Sequence, residues 1–229
     1  MSMKPILFNT EMVQAILDGR KTVTRKIVKC KYTNTHLEIL NNKYGSRLIE
    51  LQNDVEGETY GENENGGTWH KLLAYGEIER EYAPYKIGDI LWVRETWGEG
   101  YEEGSYIYKA SDKLASLPSF KESSRLIYHP SIYMPKEAAR IFLRVTDVRV
   151  EKLQDITEKQ AKAEGCIDFN DEIGNSKFDY VMEFELTARD AFAELWDSTV
   201  KEDWQKFASS PWVWVIEFER CERPEGWCK

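Results

Sequence analysis

The chain has no long apolar segment. None of its 229 residues belongs to a run of the roughly 18 to 20 consecutive apolar residues that a membrane-spanning helix requires. The first ten residues also lack the basic, apolar and small-residue order of a signal peptide. From these two absences we expect a cytoplasmic protein with no membrane partner.

Metal ligands are equally scarce. The chain contains four cysteines and three histidines, and none of them stand at the close spacing of a zinc site. An acidic cluster at Asp168, Asp171 and Glu172 lacks the full ligand set of a calcium loop, and we interpret it as a solvated loop. We therefore predict no metal and no cofactor.

Positive charge is in deficit, with 31 basic against 40 acidic residues and a net charge of -9. Such a surface repels phosphates on average, so any contact with nucleic acid must be local. One segment departs from this balance, because residues 20–31 include no acidic side chain and these basic ones: Arg20, Lys21, Arg25, Lys26, Lys29 and Lys31. The segment fits either an anion site or an exposed edge strand that its lysines protect from pairing.

Apolar periodicity predicts a mixed α+β fold. Alternating or β-branched stretches predict strands, and spacings of three and four predict helices. The expected strands are 3–8, 22–29, 90–93, 106–109, 141–150 and 212–219, and the expected helices are 10–17, 155–165 and 188–196. Their ends carry recognisable signals: Thr10 as a cap, Gly19 and Gly165 as stops, and the pairs Thr157 with Gln160 and Thr187 with Asp190 as capping boxes.

Three side chains suggest chemistry on local grounds. Lys21 stands three residues before Thr24, and an unprotonated lysine beside a hydroxyl is one way to make a nucleophile. Neighbouring cations favour loss of the lysine proton. Glu164 falls in the last turn of its helix, where the negative end of the helix dipole disfavours a carboxylate and suits a proton donor. An exposed glutamate with no chemical role explains that position equally well.

Aromatic residues on the predicted strands suggest a second kind of contact. Trp212 and Trp214 alternate with Val213 and Val215, which predicts that they belong to the core. Trp97 follows Arg94, and we selected this pair as the candidate for stacking on a base and holding a phosphate.

The order of these segments resembles the ASCH family, a branch of the PUA-like superfamily. The matching segments are 6–17, the motif Gly19-Arg20-Lys21-Thr22-Val23-Thr24-Arg25, 86–91, 141–150 with 153–165, and 212–219. They span nearly the whole chain, which we interpret as a single domain over 1–229 with insertions at about 31–81 and 98–135. Insertions of this length resemble the larger variants found in bacteriophages and prophages.

The resemblance implies a small β-barrel with surrounding helices and a cleft lined by the Lys-Thr segment. Small bacterial members include amidohydrolases that remove the acetyl group of N4-acetylcytidine with a lysine, a threonine and a glutamate, which fall here on Lys21, Thr24 and Glu164. In that hypothesis Lys21 takes the Thr24 proton, Thr24 attacks the acyl carbon, and Glu164 protonates the departing nitrogen. Arg20, Arg25 or a backbone N–H would hold the oxyanion.

The same resemblance leaves other functions open. Some ASCH proteins are thought to bind or cleave RNA, so the chain is also a candidate single-stranded nucleic-acid binding module, a ribonuclease, or a phage accessory protein with a vestigial cleft. The expected partner is a modified nucleoside or RNA. Its predicted contacts are Arg20, Arg25, Lys26, Arg94 and Trp97.

Overall fold

The computed structural model describes residues 2–29, 35–42, 45–52, 82–100, 102, 104–111, 127–167 and 187–227. Strands and α-helices in this part of the chain confirm the mixed α+β class. The strands are β1 Met3–Leu7, β2 Val23–Ile27, β3 Thr35–Asn42, β4 Gly45–Gln52, β5 Ile90–Arg94, β6 Trp97–Glu99, β7 Tyr106–Tyr108, β8 Phe142–Lys152 and β9 Trp212–Cys221. The α-helices are α1 Thr10–Leu17, α2 Glu158–Ala163 and α3 Ala188–Thr199.

Five strands form the main sheet, in the order β1-β5-β8-β9-β2. β1 runs parallel to β5, and the other neighbours are antiparallel. Within the described residues β1 and β2 are the two edges, so this sheet is open and does not close into the small barrel that the family resemblance implied. Two further pairs, β3 with β4 and β6 with β7, form separate two-stranded sheets.

Helix α1 connects the two edges of the main sheet. It leaves β1, crosses one face and ends just before β2 at the opposite edge. Val13 and Ile16 on its inner side are almost fully buried against apolar residues of the central strands. The helix is capped by Asn9, whose side chain accepts from the backbone N–H of Met12 at 2.8 Å, and Thr10 is its first residue instead of its cap.

Helices α2 and α3 cover the other face at the β9–β2 end. Val213 and Val215 of β9 pack there with Phe192 and Trp196 of α3. Trp214 and Ile216 pack on the α1 side, so both faces of β9 are buried. Burying each such aliphatic side chain contributes about 1.5 to 3 kcal/mol, which makes β9 a rigid support for its neighbour β2.

The two predicted capping boxes are confirmed and they fix the position of α2. Thr157 and Gln160 form one at the start of α2, and Thr187 and Asp190 form the other at the start of α3. The Glu158 carboxylate then accepts the backbone N–H of Ala188 at 2.6 Å, which joins the beginnings of the two helices. The C-terminal end of α2 is thereby directed at the start of β2.

No helix in the described ranges is both long enough and apolar enough to cross a membrane.

Candidate functional site

The basic run docks on the C-terminal end of α2. The last carbonyls of an α-helix have no partner inside the helix and need donors from elsewhere. Here three successive carbonyls accept from three successive residues: Ala163 from the Thr22 N–H at 2.8 Å, Glu164 from the Lys21 Nζ at 2.8 Å, and Gly165 from the Arg20 guanidinium at 3.0 Å. Two segments far apart in the sequence are therefore joined residue by residue.

Gly165 permits this close approach. Its φ of +95° lies in the left-handed region, as the predicted helix stop required. A Cβ atom at this position would also lie 2.8 Å from the Cβ of Ala15 and 3.3 Å from the Cβ of Lys21. The glycine is needed both for its backbone conformation and for the contact between α1, α2 and the basic run.

Lys21 and Glu164 form a buried ion pair, with side chains 0% and 4% exposed. The Lys21 Nζ donates to the Glu164 Oε2 at 2.6 Å, to the Glu164 backbone carbonyl at 2.8 Å and to the Val23 carbonyl at 2.8 Å. Three oxygen acceptors use all three N–H groups of an ammonium. All three contacts use Nζ as the donor, whereas the sequence-based mechanism needs it to accept the Thr24 proton.

Arg25 holds the other oxygen of the same carboxylate. Its Nη1 lies 3.0 Å from the Glu164 Oε1, and its Nη2 lies 3.5 Å from the Glu151 Oε2. The side chain is fully buried, and its Nε has no hydrogen-bond partner among the described residues. A buried N–H without a partner is costly, so this network leaves one Arg25 donor unsatisfied.

Arg149 supports Glu151 from the same strand, β8, which lies two strands away from β2 in the main sheet. Its Nε donates to the Glu151 Oε1 at 2.6 Å, and its Nη1 contacts Asp147 at 2.7 Å and Glu217 at 2.5 Å. The sequence analysis did not identify this network. The signal was present, because Asp147, Arg149 and Glu151 alternate along β8 and therefore share one face.

Thr24 faces a small cavity beside this network. The cavity has a volume of about 70 Å³ and its lining combines polar and apolar side chains: Met12, Thr24, Arg25, Glu164, Phe192, Leu195, Trp196 and Thr199. The Thr24 hydroxyl has no hydrogen-bond partner within the described part of the chain. Lys21 does not line the cavity, but its ion-pair partner Glu164 does.

A larger basic groove of about 710 Å³ adjoins the cavity. The two share Arg25, Trp196 and Thr199. The groove also carries Lys26, whose Nζ contacts the Tyr85 hydroxyl at 2.9 Å, and two exposed lysines, Lys29 and Lys201. Four of the basic or hydroxyl residues predicted from the motif are thus brought together: Lys21, Thr24, Arg25 and Lys26.

The other predicted contacts lie elsewhere. Arg20 lines neither the cavity nor the groove, and its side chain binds Asp18 and the Gly165 carbonyl. Arg94 belongs to β5, three strands away from β2 in the main sheet, and Trp97 belongs to β6 in a separate two-stranded sheet. We therefore do not include these three residues in the candidate site.

Trp97, which we selected for base stacking because it follows Arg94, belongs to a buried apolar cluster. It is 8% exposed and packs edge-on against Tyr106, with ring centroids 5.7 Å apart. Residues of the 127–139 segment cover it, including His129, whose ring centroid lies 5.1 Å away. A base has no access to either face of this indole in the present packing.

The described residues contain no group of three or more potential ligands that could hold a metal ion. The acidic cluster around Asp168 lies outside them. Cys166 is close to the site, but burial above all, with the Glu164 charge adding to it, raises the pKa of its thiol to about 11. A thiol in this state does not act as a nucleophile at neutral pH.

No protein-family model, curated protein or solved structure matches the chain. The resemblance to ASCH proteins therefore rests on the motifs and their order.

Proposed function

We propose that the protein is an amidohydrolase that removes the acyl group from N4-acylated cytidine. One observation carries the proposal: Thr24 and Glu164, the ion-pair partner of the buried Lys21, line the same small cavity. Deacylation by a covalent route needs a nucleophile, a proton acceptor and a proton donor in one site. These three residues provide the three groups.

The short hydrogen bond between Lys21 and Glu164 reconciles the charged resting pair with this chemistry. Transfer of one proton from Nζ to Oε2, which are 2.6 Å apart, converts the ion pair into a neutral amine and a carboxylic acid. A substrate that fills the cavity removes the remaining solvent contact of Glu164, whose side chain is 4% exposed, and so further favours the neutral pair. A single transfer therefore produces the base and the acid together.

The acylation step then balances. The Thr24 Oγ bonds to the acyl carbon while its proton goes to the Lys21 amine. The bond from the acyl carbon to the exocyclic nitrogen breaks, and Glu164 gives its proton to that nitrogen as cytidine departs. The products are acyl-Thr24, a lysine ammonium and a glutamate carboxylate.

Water completes the cycle. Its oxygen bonds to the acyl carbon while Glu164 takes a proton, and the ester bond to Thr24 breaks. The Thr24 oxygen recovers a proton from the Lys21 ammonium, which restores the neutral pair. Arg25 lines the cavity with an unpartnered Nε, and we assign it to the carbonyl oxygen, whose negative charge grows in both steps.

The open five-stranded sheet crossed by α1 is, in this proposal, a PUA-like sheet carrying the insertions of a larger ASCH variant. The order of the matching segments supports it: the Lys-Thr motif follows α1 directly, and Glu164 ends the helix that follows β8.

The experiment measures cytidine released from a panel of N4-acylated cytidines by the purified protein. We expect release by the wild type and by Thr24→Ser, which keeps a hydroxyl, and a loss of at least about 100-fold in Thr24→Val. Mass spectrometry of a rapidly quenched reaction should find the acyl group on Thr24. Absence of release from every substrate, or full activity in Thr24→Val, overturns the proposal.

A ribonuclease would act on a different bond and is tested in the same preparation. Labelled RNA incubated with the protein, with and without a divalent cation, should keep its length. Shortened RNA would favour the nuclease over the deacylase.

A further inference from the structure

We infer that the side chain of Leu195 limits the length of the acyl group that the protein removes, and that the cavity accepts an acetyl group in preference to longer ones. The inference rests on the proposed function, because it takes the substrate to be an acylated cytidine. It adds a residue that determines specificity, on a helix that the Lys-Thr motif does not include: α3.

The volume of the cavity determines which part of the substrate it holds. An apolar cavity of about 150 Å³ holds one benzene ring, which is about 25 Å³ for each carbon atom of the ring. The cavity at Thr24 measures about 70 Å³ and so has room for about three non-hydrogen atoms, the number in an acetyl group. A pyrimidine ring is too large for it. The ring and its sugar therefore stay in the adjoining groove, whose volume is about 710 Å³.

The lining residues show how an acyl group lies in the cavity. Arg25, Trp196 and Thr199 line both the cavity and the groove and mark the mouth between them. Three apolar side chains line the cavity and not the groove: Met12, Phe192 and Leu195. A substrate whose carbonyl group lies at Thr24 and Arg25 places the alkyl end of its acyl group against these three side chains.

Leu195 is the member of this apolar wall that the hydrophobic core does not require. Phe192 is 3% exposed and belongs to the core cluster under α2 and α3, and Met12 packs against the cluster on the α1 side. Leu195 is half-buried and belongs to no apolar cluster of the described residues. Its side chain therefore serves mainly as a wall of the cavity, and its length sets the depth of the cavity.

Helix α3 holds this wall in place. Phe192, Leu195, Trp196 and Thr199 stand three or four positions apart and share one side of the helix. The Trp196 Nε1 donates to the Gln205 carbonyl at 2.8 Å, which fixes the ring at the mouth. A longer acyl chain must displace packed atoms, and an added methylene group in a filled apolar pocket lowers kcat/KM by about 10-fold to 200-fold.

Shorter side chains at position 195 should move this limit in steps. Leu195→Val removes a single carbon atom and leaves room for the additional carbon of a propionyl group. Leu195→Ala removes the rest of the branched end and leaves room for a butyryl group. The preferred acyl length should therefore increase as the side chain at position 195 becomes smaller.

The first measurement compares kcat/KM on N4-acetylcytidine, N4-propionylcytidine and N4-butyrylcytidine. The wild type should lose about 10-fold to 200-fold with each added carbon, whereas Leu195→Val should prefer the propionyl and Leu195→Ala the butyryl substrate. Leu17→Ala is the control, because Leu17 is a half-buried leucine of α1 that lines neither the cavity nor the groove, and it should keep the wild-type order. Wild-type ratios in both Leu195 variants, with folding verified by circular dichroism, overturn the inference and leave the deacylase intact.

A second measurement separates the inference from the proposed function. Thr24→Val keeps the volume of the side chain without its hydroxyl, so calorimetry on this variant gives the Kd of each intact substrate. The Kd should increase from the acetyl to the butyryl substrate, and the order should reverse when Leu195→Ala is added. This pattern without release of cytidine by the wild type overturns the proposed function alone. Affinities that do not depend on acyl length, beside an active wild type, overturn the inference alone.

Discussion

The Nζ atom of Lys21 lies 2.6 Å from the Oε2 atom of Glu164, although 143 residues separate the two in the chain. Both side chains are buried, so each charge depends on the other for compensation. The same Nζ also donates to the backbone carbonyl of Glu164 at the end of α2. The pair therefore joins α2 to the start of β2 in addition to the proton chemistry that we assign to it.

Removal of one partner should cost stability as well as activity. In Lys21→Met the Glu164 carboxylate keeps Arg25 but loses its closest cation, and we expect a loss of about 3 to 5 kcal/mol in the free energy of unfolding. The double variant Lys21→Met with Glu164→Gln removes the uncompensated charge and should recover part of that loss while remaining inactive. Urea unfolding measures both. Equal stability of the single variant and the wild type would contradict the assignment of a buried ion pair.

Gly165→Ala should displace Glu164. The new Cβ meets the Cβ of Ala15 at 2.8 Å and is held at a φ of +95°. Gly88→Ala is the matched control, because its φ is +87° but nothing lies within 4 Å of the new Cβ. Backbone strain alone costs about 1 to 3 kcal/mol. We expect the Gly165 variant to lose more stability than the control, and to lose activity where the control does not.

Glu151 should act as a positioning residue for Arg25. Glu151→Ala removes the contact between its carboxylate and the Arg25 Nη2, which lies at 3.5 Å, and leaves the cavity lining unchanged. We expect kcat to fall about 2-fold to 30-fold with little change in KM, because the coupling of such a residue is about 0.5 to 2 kcal/mol. Asp147→Asn is the control, since Asp147 binds Arg149 but not Arg25. A purely structural role would lower stability and leave kcat unchanged.

Asp89 should make stability depend on pH in the acid range. Burial opposes its ionisation, but hydrogen bonds from the Lys4 side chain and from the Lys86 and Ser2 backbone prevail and lower the pKa of its carboxyl below 3.8. A group whose pKa is lower in the folded state stabilises the fold above its unfolded pKa, and that contribution is lost as the pH falls through the folded value. Asp89→Asn should therefore flatten the acid side of the stability curve, measured by urea unfolding on both sides of pH 3.8. The exposed Asp155→Asn should not.

Cys166 provides a chemical probe of the site. Its pKa of about 11 predicts slow alkylation by iodoacetamide at neutral pH and a rate that rises steeply only in strong base. A variant with the other three cysteines changed to serine isolates this thiol. Because the Glu164 charge helps to raise the pKa, Glu164→Gln should shift the rate profile to lower pH. An unshifted profile would show that the two groups do not interact.

Local signals could be predicted from the sequence because they depend on near neighbours. The capping boxes at Thr157 and Thr187 and the stop at Gly165 are confirmed. The cap of α1 is Asn9, one residue before the predicted Thr10. Both are good capping residues, and only the backbone conformation distinguishes them. The parallel pairing of β1 with β5 joins segments more than 80 residues apart, and no local rule specifies it.

The sequence selected the residues of the candidate site but did not indicate the hydrogen bonds among them. The motif and the resemblance selected Lys21, Thr24 and Glu164. They gave no indication that the lysine donates to three oxygens, because two of these are backbone carbonyls that any residue could supply.

The docking of residues 20–22 on the carbonyls of residues 163–165 also constrains how this protein can diverge. Substitutions elsewhere can accumulate, and whole segments can lengthen, provided that the basic run and a helix ending in Glu-Gly are both retained. The two short segments must be inherited together, because each supplies what the other leaves unpaired. A distant descendant of this chain should therefore be recognisable by the pair when overall similarity has been lost.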